Sequence, residues 1–212
     1  MNYKMISYTI GRILLVEAVL LILPAAVSII YGDGVLASFA ITIAALTVAG
    51  LLATRKNPYN RNIYAKEGYV IVAFTWILMS LFGALPFTLS GHIPSFIDAF
   101  FETVSGFTTT GSTILNNVEG LQKSLLFWRS FTHWVGGMGI LVLVMAIVPT
   151  ESGRSIHIVR AEMPGPIVGK LVPKLKSTAK ILYLIYIFQF LLLQELEFLL
   201  FENYLLQFHL IF

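Results

Sequence analysis

The chain has 212 residues, of which 57% are hydrophobic, 12% are charged and none is cysteine. A charged fraction so far below the usual figure of about 25% cannot clothe a water-facing surface, so lipid must be the solvent for much of the chain. The lack of cysteine excludes disulfides and thiolate chemistry, and the formal net charge of +3 is segregated along the chain, which is a membrane-orientation signal before it is a nucleic-acid one.

The first apolar run covers 13–30, about 18 residues and roughly 27 Å as a helix, close to the hydrocarbon thickness. Lys4 and Arg12 precede it, and it contains Glu17 and Pro24. Its length and these two residues argue against a signal peptide cleaved at Ala25-Ala26-Val27-Ser28. Glu17 either faces a partner helix or a cavity or is an inactive buried acid, protonated in lipid, and no function is assigned to it. Tyr31-Gly32-Asp33-Gly34 is a tight-turn signal, and 35–53 is a second span that completes a helical hairpin. A polar loop with Arg55, Lys56, Arg61 and Lys66 follows.

The third span is 68–85, expected to close at Pro86, with a polar connection over 87–94. The next apolar stretch, 95–107, is too short to cross and reads as a re-entrant segment. Ser95 and Asp98 form a capping-box-like pair at its start, and Ser105-Gly106 is expected to break its helix. A threonine- and glycine-rich stretch covers 108–113. The fourth span is 125–148, ending at Pro149. A basic stretch, 150–180, leads to a fifth span over 181 to about 201.

The N-terminus, the loop after the second span and the stretch 150–180 together hold twelve of the fourteen Lys and Arg residues, Lys123 and Arg129 being the others. Basic loops stay cytoplasmic. All three fall on one side only if 95–113 dips into the bilayer and returns, which places the N-terminus inside.

Span, short helix, polar strand, span is the layout of a pore loop. A cation crossing lipid must exchange its hydration shell for fixed oxygens, and backbone carbonyls serve if the chain around them is shielded by protein. Thr108-Thr109-Thr110 favours extended backbone and offers carbonyls and hydroxyls. Gly111 admits a positive φ that aims carbonyls one way. The C-terminal end of the short helix carries negative partial charge that suits a nearby cation. An ordinary polar loop between helices is the plainer reading of the same residues.

Ser105-Gly106-Phe107-Thr108-Thr109-Thr110-Gly111-Ser112-Thr113 resembles the first filter loop of the Trk/Ktr/HKT superfamily of potassium transporters, in particular its TrkH type. The helix that follows, Phe127-Trp128-Arg129-Ser130-Phe131-Thr132-His133-Trp134-Val135-Gly136-Gly137-Met138-Gly139-Ile140, is similar too. Ala161-Glu162-Met163-Pro164-Gly165-Pro166 and Ser177-Thr178-Ala179-Lys180 resemble the family's cytoplasmic linker and the entry to its second repeat. The resemblance runs from about Gly11 to Tyr186. It implies an all-α membrane protein. An N-terminal hairpin (1–62) precedes one membrane–pore-loop–membrane repeat (63–149), a cytoplasmic basic linker (150–180) and the first helix of a truncated second repeat (181–212). It implies that Thr109, Thr110 and Gly111 line a potassium filter, with K+ at Thr109 and Thr110, in a multi-pass protein of the bacterial inner membrane. The implied partners are a second copy of the chain and a cytosolic, TrkA-like nucleotide-binding gating subunit. No cofactor beyond the transported potassium ion is implied.

After Tyr186 the second pore helix and filter that the family carries do not appear, and Gln194-Glu195-Leu196-Glu197 does not look like it. A frameshift or an early stop would produce this, and a quarter of a four-part filter is expected not to conduct alone. Thr108, Ser112, Glu102 and Arg129 are candidate supports of the filter, with snorkelling to the interface as the plainer role for Arg129. His133 reads as a hydrogen-bonded packing residue. Gly136, Gly137 and Gly139 form either a gating hinge or, more simply, a site of close helix packing. No enzyme constellation stands out, since Asp98 and Glu102, four residues apart, lack a nearby histidine or third ligand. Two other readings stand beside potassium uptake: a small homotetrameric pore-loop cation channel, and a membrane assembly protein that transports nothing.

Overall fold

The computed structural model describes residues 2–55, 58, 65–137, 139, 181 and 184–188. The chain falls into two compact units, Met1–Val168 and Gly169–Phe212. Among the described residues every regular element is a helix. In the second unit these are Ile181 and 184–188, helical and largely exposed; the rest of the expected fifth span and the linker 150–180 lie outside the described residues.

The first span starts earlier than its apolar run. Helix α1 covers Tyr3–Leu20, and the Asn2 side chain caps it by accepting from the Met5 N–H at 3.2 Å. The chain bends at Leu21 and resumes as α2, Ile22–Tyr31. The bend follows from Pro24, which has no N–H for the carbonyl of Leu20 and whose ring crowds it. Helix α2 ends at Gly32, whose φ of 62° only a glycine adopts freely.

Helix α3, Leu36–Thr54, returns alongside α1. A Cβ on Gly11 would stand 2.7 Å from the Ala53 Cβ, and one on Gly50 would stand 2.7 Å from Leu15 Cγ. These two glycines let the hairpin helices touch backbone to side chain, the way helices pack where lipid removes the hydrophobic drive.

Pro86 does not close the third span. Helix α4, Ala65–Gly83, is followed after Ala84 by α5, Leu85–Leu89, with Pro86 in its first turn, where the missing N–H is not needed. Among the described residues three segments are long and apolar enough to cross a membrane: Tyr3–Tyr31, Leu36–Thr54 and Lys66–Leu89. The Asn2 N–H donates to Glu67 Oε1 at 3.2 Å, which ties the start of α1 to the start of α4.

The last two described helices of the first unit are α6, Phe96–Phe107, and α7, Lys123–Gly137. Helix α7 is docked onto the hairpin by Asp33. One carboxylate oxygen accepts from the Ser124 N–H in the first turn of α7 at 3.0 Å, and the other accepts from the Val35 N–H at 3.2 Å and from the Ser28 hydroxyl. Partial desolvation works to raise the Asp33 pKa, but the hydrogen bonds from Ser124, Ser28 and Val35 outweigh it and hold the carboxyl below its ordinary value.

A carboxyl whose folded pKa is depressed stabilises the fold above its unfolded pKa, and that contribution is lost as pH falls through the folded value. Thermal unfolding of the detergent-solubilised chain, followed by circular dichroism, is expected to show a stability loss below the ordinary carboxylate range. Asp33→Asn should remove that acid-side loss and cost about 1 kcal/mol at neutral pH, the usual worth of a helix N-cap.

Candidate functional site

Helix α6 forms where the apolar stretch meets a cap. The Ser95 hydroxyl accepts from the Asp98 N–H at 3.4 Å, and Asp98 lies in the first turn, where negative charge suits the helix dipole. One face, with Ala99, Glu102, Thr103 and Phe107, is buried, while Ile97 is 77% exposed. The helix does not break at Ser105-Gly106 but runs through both to Phe107. The reason is tertiary. A Cβ on Gly106 would overlap the Thr132 hydroxyl of α7, so this glycine serves close helix contact rather than helix termination.

Helix α6 ends in a reverse turn built by three threonine amides. The N–H groups of Thr108, Thr109 and Thr110 bond to the carbonyls of Val104, Gly106 and Ser105 at 2.9, 2.9 and 3.0 Å. The last two are the paired bonds of a Schellman motif, which needs a left-handed residue at the position Thr109 occupies. Thr109 has a φ of 55°, and among the described residues no other non-glycine has a positive φ. The expectation of extended backbone through the threonines fails here because the helix end claims their amides. A β-branched residue in this region is strained by about 1–3 kcal/mol.

Gly111 has a φ of 76°, and Thr110 between the two has none in the positive range. Positive φ at every second residue turns carbonyls that would alternate in an extended strand toward one side. Among the described residues no hydrogen-bond donor reaches the carbonyls of Thr108, Thr109, Thr110 or Gly111, and residues 108–113 are exposed. The Thr108 and Thr110 hydroxyls bond to each other at 2.7 Å.

The limb that follows is held from behind. The Ser105 hydroxyl donates to the Ser112 carbonyl at 2.6 Å. Glu102, 1% exposed, accepts through Oε2 from the Thr113 hydroxyl at 3.0 Å and from the Ile114 N–H at 3.2 Å. Its other oxygen, Oε1, forms an ion pair with Arg129 Nε of α7. Arg129 is therefore a partner of the loop's anchor rather than a snorkelling side chain.

Helix α7 closes the back of the site. The Trp128 indole N–H donates to the Gly83 carbonyl at 2.9 Å, and its ring meets Phe107 edge-on with centroids 6.2 Å apart. A Cβ on Gly136 would overlap the Phe107 carbonyl, so α7 rests directly on the end of α6. Gly137 is the last residue of the helix, and Gly139 has a φ of 70° with its N–H on the Gly136 carbonyl at 2.9 Å. The remainder of the expected fourth span lies outside the described residues. His133 Nδ1 sits 2.9 Å from the Arg129 carbonyl of its own helix.

The structure thus gathers Thr108, Thr109, Thr110, Gly111 and Ser112 on one exposed loop, with Glu102 and Arg129 behind it and Gly136 against its helix. Sequence reasoning missed Gly106 as a contact residue, Ser105 and Thr113 as anchors, and Trp128. The hydroxyls at 105 and 113 bracketing the loop were the available signal. Among the described residues no group of three or more His, Asp or Glu side chains could hold a metal ion.

The TrkH family, described as cation transport proteins, matches residues 33–201. The chain belongs to the TrkH family. It is 38% identical over 190 residues to the Trk system potassium uptake protein TrkH of Salmonella typhimurium, a match covering 88% of this chain and 39% of the relative. It is 37% identical to the protein of the same name from Escherichia coli K12, with the same coverage. The crystal structure of the potassium transporter TrkH from Vibrio parahaemolyticus superposes with a TM-score of 0.70 at 32% identity, covering 88% of this chain and 37% of that one. This chain therefore spans 39% of the length of the curated TrkH relatives it matches. These relatives are transporters and not enzymes.

Removing one member of a buried ion pair strands the other, at a cost of about 3–5 kcal/mol. Arg129→Met and Glu102→Leu should each destabilise the chain in that range, and the double variant should recover much of the loss. Chemical unfolding in detergent of the two single variants and the pair measures this; additive losses would show that the pair is not coupled.

Proposed function

We propose that this chain supplies a filter loop to a potassium uptake pathway, with the carbonyls of Thr109, Thr110 and Gly111 replacing part of the ion's water shell. The observation that carries the reading is a run of carbonyls on exposed residues, unbonded among the described residues, at the end of a half-buried helix, with positive φ at Thr109 and Gly111. Such oxygens suit a monovalent cation, which needs several weak ligands and must also leave. The negative end of α6 adds to the attraction. The naming of the relatives as potassium uptake proteins supports the choice of ion.

In this reading Thr108, Ser112, Glu102 and Arg129 hold the loop's shape, and Gly136 fixes α7 against it. The exposed side of the loop faces further pore loops that complete the oxygen cage. The excess of Lys and Arg in the N-terminus, the loop after α3 and the stretch 150–180 supports a cytoplasmic N-terminus; in this reading the protein lies in the inner membrane of a bacterium and works with a second copy of the chain and a TrkA-like cytosolic gating subunit.

The test exchanges the first pore-loop repeat of Escherichia coli TrkH for residues 63–149 of this chain, in a strain lacking potassium uptake. Growth on low potassium is expected to return. A Cβ at Gly111 would meet nothing within 4 Å among the described residues, so within this chain Gly111→Ala acts through backbone conformation. It should lower rubidium uptake by about tenfold, the equivalent of about 1.4 kcal/mol, close to the cost of holding a non-glycine residue left-handed. Unchanged uptake would remove Gly111 from the filter.

A further inference from the structure

Glu17 is the buried acid that the filter reading does not use. It lies one turn before the bend at Leu21. The residue is fully buried, and neither carboxyl oxygen has a hydrogen-bond partner. The carboxyl is packed against Gly83: a Cβ there would stand 3.4 Å from Glu17 Oε1, 2.8 Å from Thr103 Cγ2 and 3.3 Å from Phe107 Cε2. The carbonyl of Gly83 accepts the Trp128 indole N–H. One glycine without a side chain therefore separates this carboxyl from the helix that carries the filter loop, and the same residue holds α7.

Among the described residues no charged group makes a hydrogen bond or ion pair with it. Helix α3 contains no ionisable residue and α2 contains only Tyr31. In α4 the charged residues are Lys66 and Glu67, at the end opposite Gly83. In α6 Asp98 lies in the first turn, and Glu102 is committed to Arg129, Thr113 and Ile114. In α7, Lys123 begins the helix and His133 sits on its own helix carbonyl. None of these makes a hydrogen bond to Glu17.

We propose that Glu17 is a proton-binding site whose occupancy sets the packing of α6, and so the position of the loop at its end. With the proton bound, the carboxyl is neutral and fits an enclosure that offers no donor. When the O–H bond breaks, the electron pair stays on the carboxylate and the proton passes to water. The bare charge cannot remain in an enclosure without a partner. The junction at Gly83 must then open to admit water, which loosens the contacts of Gly83 with Thr103 and Phe107 and the bond to Trp128. This inference does not depend on which ion the loop carries.

The full 212-residue chain, in vesicles of phosphatidylethanolamine and phosphatidylglycerol, allows a direct test. Infrared spectroscopy reads the carbonyl stretch of a protonated carboxyl. Because the chain has no cysteine, Ile114→Cys gives a single thiol on the limb after the loop, whose labelling by a soluble maleimide reports loop exposure. The protonated-carboxyl band at neutral pH should vanish in Glu17→Gln. Alkaline pH should accelerate labelling more in the parent than in Glu17→Gln, with that excess acceleration lost. Glu17→Leu, a second uncharged replacement, should match Glu17→Gln and guards against a folding defect particular to glutamine. An unchanged band would mean that Glu17 holds no proton, and equal labelling profiles in parent and variants would mean that it does not control the loop. Either result overturns the proposal.

Discussion

A backbone segment whose carbonyls accept no hydrogen bond has given up the contacts that would otherwise hold it, so other groups must fix its shape. In this chain that restraint is Glu102. Its carboxylate takes a hydroxyl and an amide from the limb after Gly111 and is itself fixed by Arg129. On the other side of the loop the helix end does the same work, drawing in the amides of Thr108, Thr109 and Thr110. The amides of Thr108, Thr109, Thr110 and Ile114 are turned backward into the protein, while among the described residues the carbonyls of 108–111 take no donor.

The rest of the unit serves to keep α6 still. Glycines bring neighbours within backbone contact of it, at Gly106 against Thr132 and at Gly136 against Phe107. Trp128 reaches past Phe107 to the end of α4. The N-terminal hairpin joins in at two places: Asp33 caps the start of α7, and Glu17 lies against Gly83. The hairpin is therefore packed into the scaffold of the loop.

Strain at Thr109 fits the same picture. A left-handed threonine persists only where its surroundings over-determine it, and the Schellman bonds on one side and the Ser105–Ser112 and Glu102 bonds on the other supply that. Gly111 repeats the positive φ without strain, two residues on. The loop's shape is thus set jointly by one residue that resists its conformation and one that accepts it.

Much of this was legible from residue order. Apolar length marks the first three spans, and Ser95 marks the start of α6, because lipid burial and helix capping are local and linear in sequence. The family resemblance marked the loop itself. Three-dimensional contact decided the rest: that Gly106 continues a helix instead of ending it, that Pro86 begins one, that Thr109 turns left-handed, and that Arg129 pairs with Glu102. Gly106 and Arg129 owe their roles to distant partners, Thr132 and Glu102. A glycine's freedom or a carboxylate's charge acquires its role only when the fold brings such a partner within contact distance.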